Sequence, residues 1–191
     1  MRAHARLVLV FCLLVTSLSN AASEPRRVGN REYRFSAIAP TGTVTCMEGS
    51  GGHLHGFSIM LDPPKEGCQG SPPQPYIGLF GDYNAAEAKT PAHYLSHLCP
   101  LQHPSFPVPK KTSLVFPGHD SMACQSTDKN GWIDVFVVTM ASKWPDAKDN
   151  PTEPDVPYML YTAQLHTNPA RRTRDLVTFR NVLATVVIAD K

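Results

Sequence analysis

Eighteen prolines cut this chain into stretches too short for long helices. A proline inside a helix removes a backbone hydrogen bond and clashes with the turn before it, so helices end at or before such residues. The prolines cluster at 63–75, 100–109 and 145–157, which predicts extended, solvated loops there. Between the loops, short stretches alternate with the period of a strand. In EYRFSAIAP, Tyr33, Phe35 and Ala37 fall on one side, and the run stops at Pro40. HGFSIMLD and YIGLFGDY read as further strands. SMACQS and WIDVFVVTMA flank TDKNG, where Asn130-Gly131 signals a type I′ hairpin with positive φ at both central positions. PYMLYTAQLHT is the last strand.

Two helices interrupt this pattern. Thr90-Pro91 and Asn168-Pro169 each set a capping side chain before a proline at the first helical position, where the missing N–H costs nothing. The second helix spaces Leu176, Phe179, Leu183 and Val186 at three and four residues, a stripe fit to lie on a sheet. Arg171, Arg172, Arg174 and Arg180 then face mainly outward, and the β-branched run near Val186 predicts an extended tail. The expected fold is α+β: an antiparallel sheet packed against a C-terminal amphipathic helix and a shorter mid-chain helix. The alternative is a mainly-β sandwich.

The first residues, MRAHARLVLVFCLLVTSLSNAAS, combine Arg2 and Arg6, an apolar run from Leu7 to Val15, and small Ser19 and Ala21 at cleavage spacing. That is the pattern of a cleaved secretory leader over 1–21, followed by a flexible segment 22–30 and one domain over 31–191. The apolar run is shorter than the roughly 20 residues that span a bilayer, so no membrane span is expected. The expected location is periplasmic or extracellular. Without Arg2 and Arg6 the chain carries 16 Lys and Arg against 16 Asp and Glu, and this balance gives nucleic acid no net basic surface. Cys46, Cys68, Cys99 and Cys124 remain, an even number that implies two disulfides in an exported protein. Three pairings are possible. Cys46 with Cys68 and Cys99 with Cys124 is preferred, because each bridge then closes a loop of moderate length. No C-x-x-C pair is present, which disfavours a redox dithiol or a zinc ribbon.

YRFSAIAP, a mid-chain helix, the hairpin around GWIDVFVVTMA, the strand PYMLYTAQLHT and a closing helix TFRNVLATV resemble the Mog1/PsbP-like α+β sandwich over 31–188. The resemblance lies in element order and apolar pattern. It implies an adaptor, accessory or binding role, since members of that fold mostly lack chemistry of their own.

Among candidate sites, His93 and His97 in HYLSHLC stand four apart on one helix face, the separation at which two imidazoles share a zinc or copper ion. Tyr94 replaces the glutamate that a thermolysin-type zinc signature requires. His53 and His55 in GGHLHG would share one side of a strand, and the four imidazoles would complete a tetrahedral site if the two elements met. His103, His119 and Asp120 are weaker candidates. Seven mature-chain histidines also produce close pairs by chance, so the pairs read first as helix and strand surface and second as a metal site. Asp82, Asp120 and Asp134 appear isolated, with Asp134 on the solvated face of its strand. GHDSMAC aligns His119, Asp120 and Ser121, but a triad is assembled from separated elements. A hydrolase would need a cleft joining His119 to a distant carboxylate and to Ser50 or Ser121.

What remains is surface. Tyr76, Tyr83, Tyr94 and Trp144, with Arg171, Arg172 and Arg174, are the expected partner-facing residues, since aromatic and arginine side chains anchor protein interfaces. The leading expectation is a non-enzymatic exported binding protein with a protein partner, such as an envelope immunity protein, inhibitor or accessory factor. The alternatives are a zinc- or copper-binding protein and an unfamiliar hydrolase.

Overall fold

A computed structural model describes residues 24–50, 53–62, 67–68, 74–84, 88–99, 110–111, 113–141 and 159–189, with backbone only at 49–50, 53–54 and 110–111. The expected leader 1–21, Trp144, His103 and most of the Pro-rich loops lie outside the described residues. In chain order the elements are β1 (Arg26–Asn30), β2 (Phe35–Ala39), β3 (Val44–Ser50), β4 (His53–Met60), β5 (Tyr76–Tyr83), α1 (Pro91–Leu98), β6 (Lys110–Lys111), β7 (Ser121–Thr127), β8 (Ile133–Ala141), β9 (Met159–Thr167), α2 (Arg172–Leu183) and β10 (Val187–Ile188).

Alternation organises two antiparallel sheets. The larger runs β3-β4-β5-β9-β8-β7-β6, and the smaller runs β1-β2-β10. One face of the large sheet presents Phe57, Ile59, Ile77, Leu79, Val137 and Leu165. Against them pack Tyr33, Phe35 and Ala37 from the β2 region and Phe179, Val182 and Leu183 from α2. Each large apolar side chain buried in this way contributes about 1.5–3 kcal/mol. Phe35 stacks on Phe57 at 5.6 Å, and the Tyr161 hydroxyl donates to the Tyr33 carbonyl at 2.9 Å, which ties the two sheets together. The opposite, outer face holds a second cluster in which Leu95 and Cys99 of the α1 region meet Cys124, Val138 and Leu160. Neighbouring Val137 and Val138 therefore serve different cores. With one helix on each face of the large sheet, the architecture is α+β, and a mainly-β sandwich does not describe it.

Both disulfides pair as preferred, Cys46 with Cys68 and Cys99 with Cys124. Thr90 caps α1 as expected, its hydroxyl accepting from the His93 N–H at 3.2 Å.

The structure corrects four details. Within the segment 22–30 expected to be flexible, Arg26–Asn30 forms β1 along β2, although RRVGN offers only Val28 to the core and so lacks a readable alternation. The hairpin between β7 and β8 is not type I′. Gly131 has φ +83, Asn130 does not enter the left-handed region, and Asp128 pairs with Trp132 across a three-residue loop. The Asp128 carboxylate accepts from the Asn130 and Trp132 N–H groups, both at 2.8 Å, and this replaces the expected turn with a bulged one. Helix α2 starts at Arg172 rather than directly after Pro169, because the Asn168 side chain accepts from the Arg171 N–H at 3.2 Å and closes a separate lead-in turn. Arg171 is also not an outward residue: its side chain is only 17% exposed. The extended tail appears as β10, which pairs with β2.

Candidate functional site

Strand register sets the site. Tyr76 of β5 lies opposite His166 of β9, which lies opposite Asp134 of β8. All three point to the outer face. On that face α1 covers the end of the strands around Val138 and Leu160, whereas this row stands near the other end. The burial pattern records the boundary. Met159, Leu160 and Tyr161 are buried in succession, and after them Thr162, Gln164 and His166 alternate half-buried with buried neighbours.

Three rings form a ladder across the strands. His166 stacks on Trp132 with centroids 4.6 Å apart and planes 3° from parallel, and on Tyr76 at 5.2 Å and 25°. The His166 Nδ1 lies 2.8 Å from Asp134 Oδ1, which also accepts from Gln164 Nε2 at 2.9 Å. Because an ionised carboxylate oxygen only accepts, Nδ1 carries the hydrogen of this bond. Burial pushes the Asp134 carboxyl up, but hydrogen bonds from His166 and Gln164 outweigh it and hold the group below its ordinary range. Burial, with Asp134 and Glu48 nearby, pushes the Tyr76 phenol up to about 12 and keeps it neutral. The patch thus brings together one ionised carboxylate, one imidazole and two aromatic rings stacked on it.

A depressed carboxyl contributes stability that is present above its unfolded pKa and lost as pH falls through the folded value. In urea unfolding, Asp134→Asn should therefore be less stable than wild type at pH 7. The gap should close as pH drops below about 4, the ordinary Asp range. A gap that stays constant into acid would contradict this account of Asp134.

No family model and no curated protein sequence matches the chain. In coarse arrangement it is similar to the solution structure of cyanobacterial PsbP (CyanoP) from Synechocystis sp. PCC 6803, with 9% identity and a TM-score of 0.48 over 91% of this chain and 98% of that one. The site rests on its own residues.

The expected sites are placed elsewhere. His93 and His97 are exposed on α1 with ring centroids 5.5 Å apart, as the helical spacing predicts. His55 belongs to the inner face, where its Nδ1 lies 3.0 Å from the Tyr33 hydroxyl and its ring packs on Tyr33. With α1 on one side of the sheet and His55 on the other, the four-imidazole centre is not assembled; the His53 side chain lies outside the described residues. Among the described residues no group of three or more His, Cys, Asp or Glu is placed to hold a metal ion.

The His119-Asp120-Ser121 trio shapes a turn. Ser121 is buried, accepts from the Phe116 N–H at 3.0 Å and donates to the His119 carbonyl at 3.3 Å, while Thr139 donates to the Asp120 carbonyl at 2.6 Å.

The expected partner residues do not share one surface either. Tyr76 is on the outer face and Tyr83, on the inward parity of β5, packs near Tyr33. Tyr94 packs against the α1 cluster. Arg172 and Arg174 are exposed on α2, over the opposite face of the sheet, and Arg171 is held by Asp175 and Asp62.

Asp134, His166, Gln164 and Trp132 were not singled out together by sequence. Asp134 and His166 are 32 residues apart, and only the β8-β9 register joins them. The readable signal was their shared outward parity on two strands adjacent in the chain.

Proposed function

We propose that this is an exported binding protein that works through protein–protein contacts, as an inhibitor, immunity protein or accessory factor of an envelope, without chemistry of its own. The observation that carries the reading is the ladder of Trp132, His166 and Tyr76 on the part of the sheet beyond α1. Rings prealigned on a rigid sheet lose little side-chain entropy on docking, which is why such residues anchor interfaces. Two disulfides fit an oxidising compartment. Among the described residues no helix is long and apolar enough to cross a membrane.

The test is capture of a partner from envelope extracts by the disulfide-bonded protein over a range of salt concentrations, followed by affinity measurement with the purified partner. Trp132→Ala should weaken binding by about 30-fold or more, the scale of an interface hot spot. The double change Arg172→Ala with Arg174→Ala, on the opposite side, should leave it unaltered. Failure to recover a partner at any salt, or a partner indifferent to Trp132, would overturn the reading.

A further inference from the structure

The chemistry of the outer patch is one-sided. Asp134 Oδ1 is engaged twice, by His166 and Gln164, whereas Oδ2 accepts no hydrogen bond from any described residue. His166 uses Nδ1 on Asp134, and its Nε2 likewise has no partner among the described residues. Neither atom belongs to the buried polar atoms without partners, so both reach solvent. The side chains of Asp134 and His166 are only 20% and 16% exposed, which leaves the carboxylate partly desolvated. No lysine or arginine among the described residues pairs with it. Trp132 and Tyr76 stack on the His166 ring beside this carboxylate, and an aromatic face carries negative potential.

The patch's one ionised group thus keeps an open acceptor oxygen, and its charge and the neighbouring aromatic rings favour a cation. A planar cation with several donors matches this set better than a compact ammonium. It can stack on an indole face while its N–H groups reach a carboxylate oxygen. We propose that this patch docks an arginine side chain of the partner protein, with the guanidinium lying along Trp132 and donating to Asp134 Oδ2. This rests on the binding role proposed above and names the chemistry of the partner. The aromatic-carboxylate arrangement excludes an acidic partner segment at this point, since Asp134 would meet it charge against like charge.

Arginine docking is tested on the disulfide-bonded protein by NMR titration with N-acetyl-arginine amide, following the Trp132 indole N–H and the His166 ring. N-acetyl-citrulline amide, which keeps the shape and lacks the charge, and N-acetyl-lysine amide serve as comparisons. Saturable shifts at millimolar arginine are expected, with at least tenfold weaker response to the other two. Asp134→Asn should lose at least tenfold in arginine affinity while the remaining spectrum stays that of a folded protein. No response at Trp132 and His166, an equal response to citrulline or lysine, or an undiminished response in Asp134→Asn would overturn the proposal. Partner capture separates the two readings. A partner held equally by wild type and Asp134→Asn overturns arginine docking while the binding role stands, and absence of any partner overturns the binding role.

Discussion

Replacing Asp175 by Ala should lower the stability of this protein by about 3–5 kcal/mol, the scale of removing one partner from a buried ion pair. Asp175 is 2% exposed in the first turn of α2. Its Oδ2 accepts from the Thr167 hydroxyl at 2.6 Å and from Arg171 Nε at 3.1 Å, and its Oδ1 lies 3.4 Å from Arg171 Nη2 and from Arg174 Nε. Thr167 ends β9, and Arg171 closes the turn before α2 and reaches Asp62 beyond β4. One carboxylate therefore joins two strands of the sheet to the helix that covers it. The change to Ala would leave the buried Thr167 hydroxyl with only the Asn168 carbonyl at 3.5 Å and Arg171 with only the exposed Asp62. Urea unfolding at constant slope is the measurement. Asp175→Asn, which keeps an acceptor oxygen of the same shape, should lose less than Ala. A loss below about 1 kcal/mol in the Ala variant, the range of an exposed pair, would show that the contacts are not load-sharing.

How much of this was legible follows from where each signal lives in the chain. The strands were readable because alternation is local: Tyr76–Tyr83 was expected over those residues, and Phe35 and Ala37 turn inward as their period implies. The disulfide pairing was readable because loop lengths of 22 and 25 residues fit bridges between neighbouring elements. Asn130-Gly131 misled because the Asp128 carboxylate competes for the turn's N–H groups, a side-chain effect that the dipeptide rule does not weigh. Asn168-Pro169 misled for a similar reason, since a capping side chain can close an isolated turn as readily as it starts a helix. Asp175 gave no warning at all; a single acidic residue in a first helical turn is ordinary, and its burial depends on Thr167 at the end of another element.

The functional patch was harder to see for a physical reason. Imidazole pairs four apart on a helix are visible in one dimension, and they drew attention to His93 and His97, which the fold leaves on an exposed surface. A row across three strands has no one-dimensional signature. Tyr76, His166 and Asp134 become neighbours only when β9 inserts between β5 and β8, an arrangement that also places β9 far in sequence from β5. Of these three residues Tyr76 alone was among those expected at a partner surface, and the two that give it chemical context came from register.

The second large effect concerns α1. Changing both Cys99 and Cys124 to Ser should cost about 3.5 kcal/mol by the loop-entropy relation for a bridge closing 25 residues. The structural consequence should be uneven. Helix α1 has eight residues, too few to persist in water without packing. It is held on the outer face by Leu95 and Cys99 against Cys124, Val138 and Leu160. Once the bridge is gone, α1 retains mainly Leu95 and the half-buried Tyr94 and Leu98 as anchors, while the inner core of the two sheets and α2 is untouched. Hydrogen exchange should then show α1 amides approaching solvent rates, with β5, β8 and β9 still protected at the level of global unfolding. The Trp132–His166 stack lies toward the opposite end of these strands and should keep its NMR signature in the folded variant. Equal loss of protection in α1 and in β9 would mean instead that the helix and the sheet unfold as one unit, and that the outer patch depends on the bridge for its geometry.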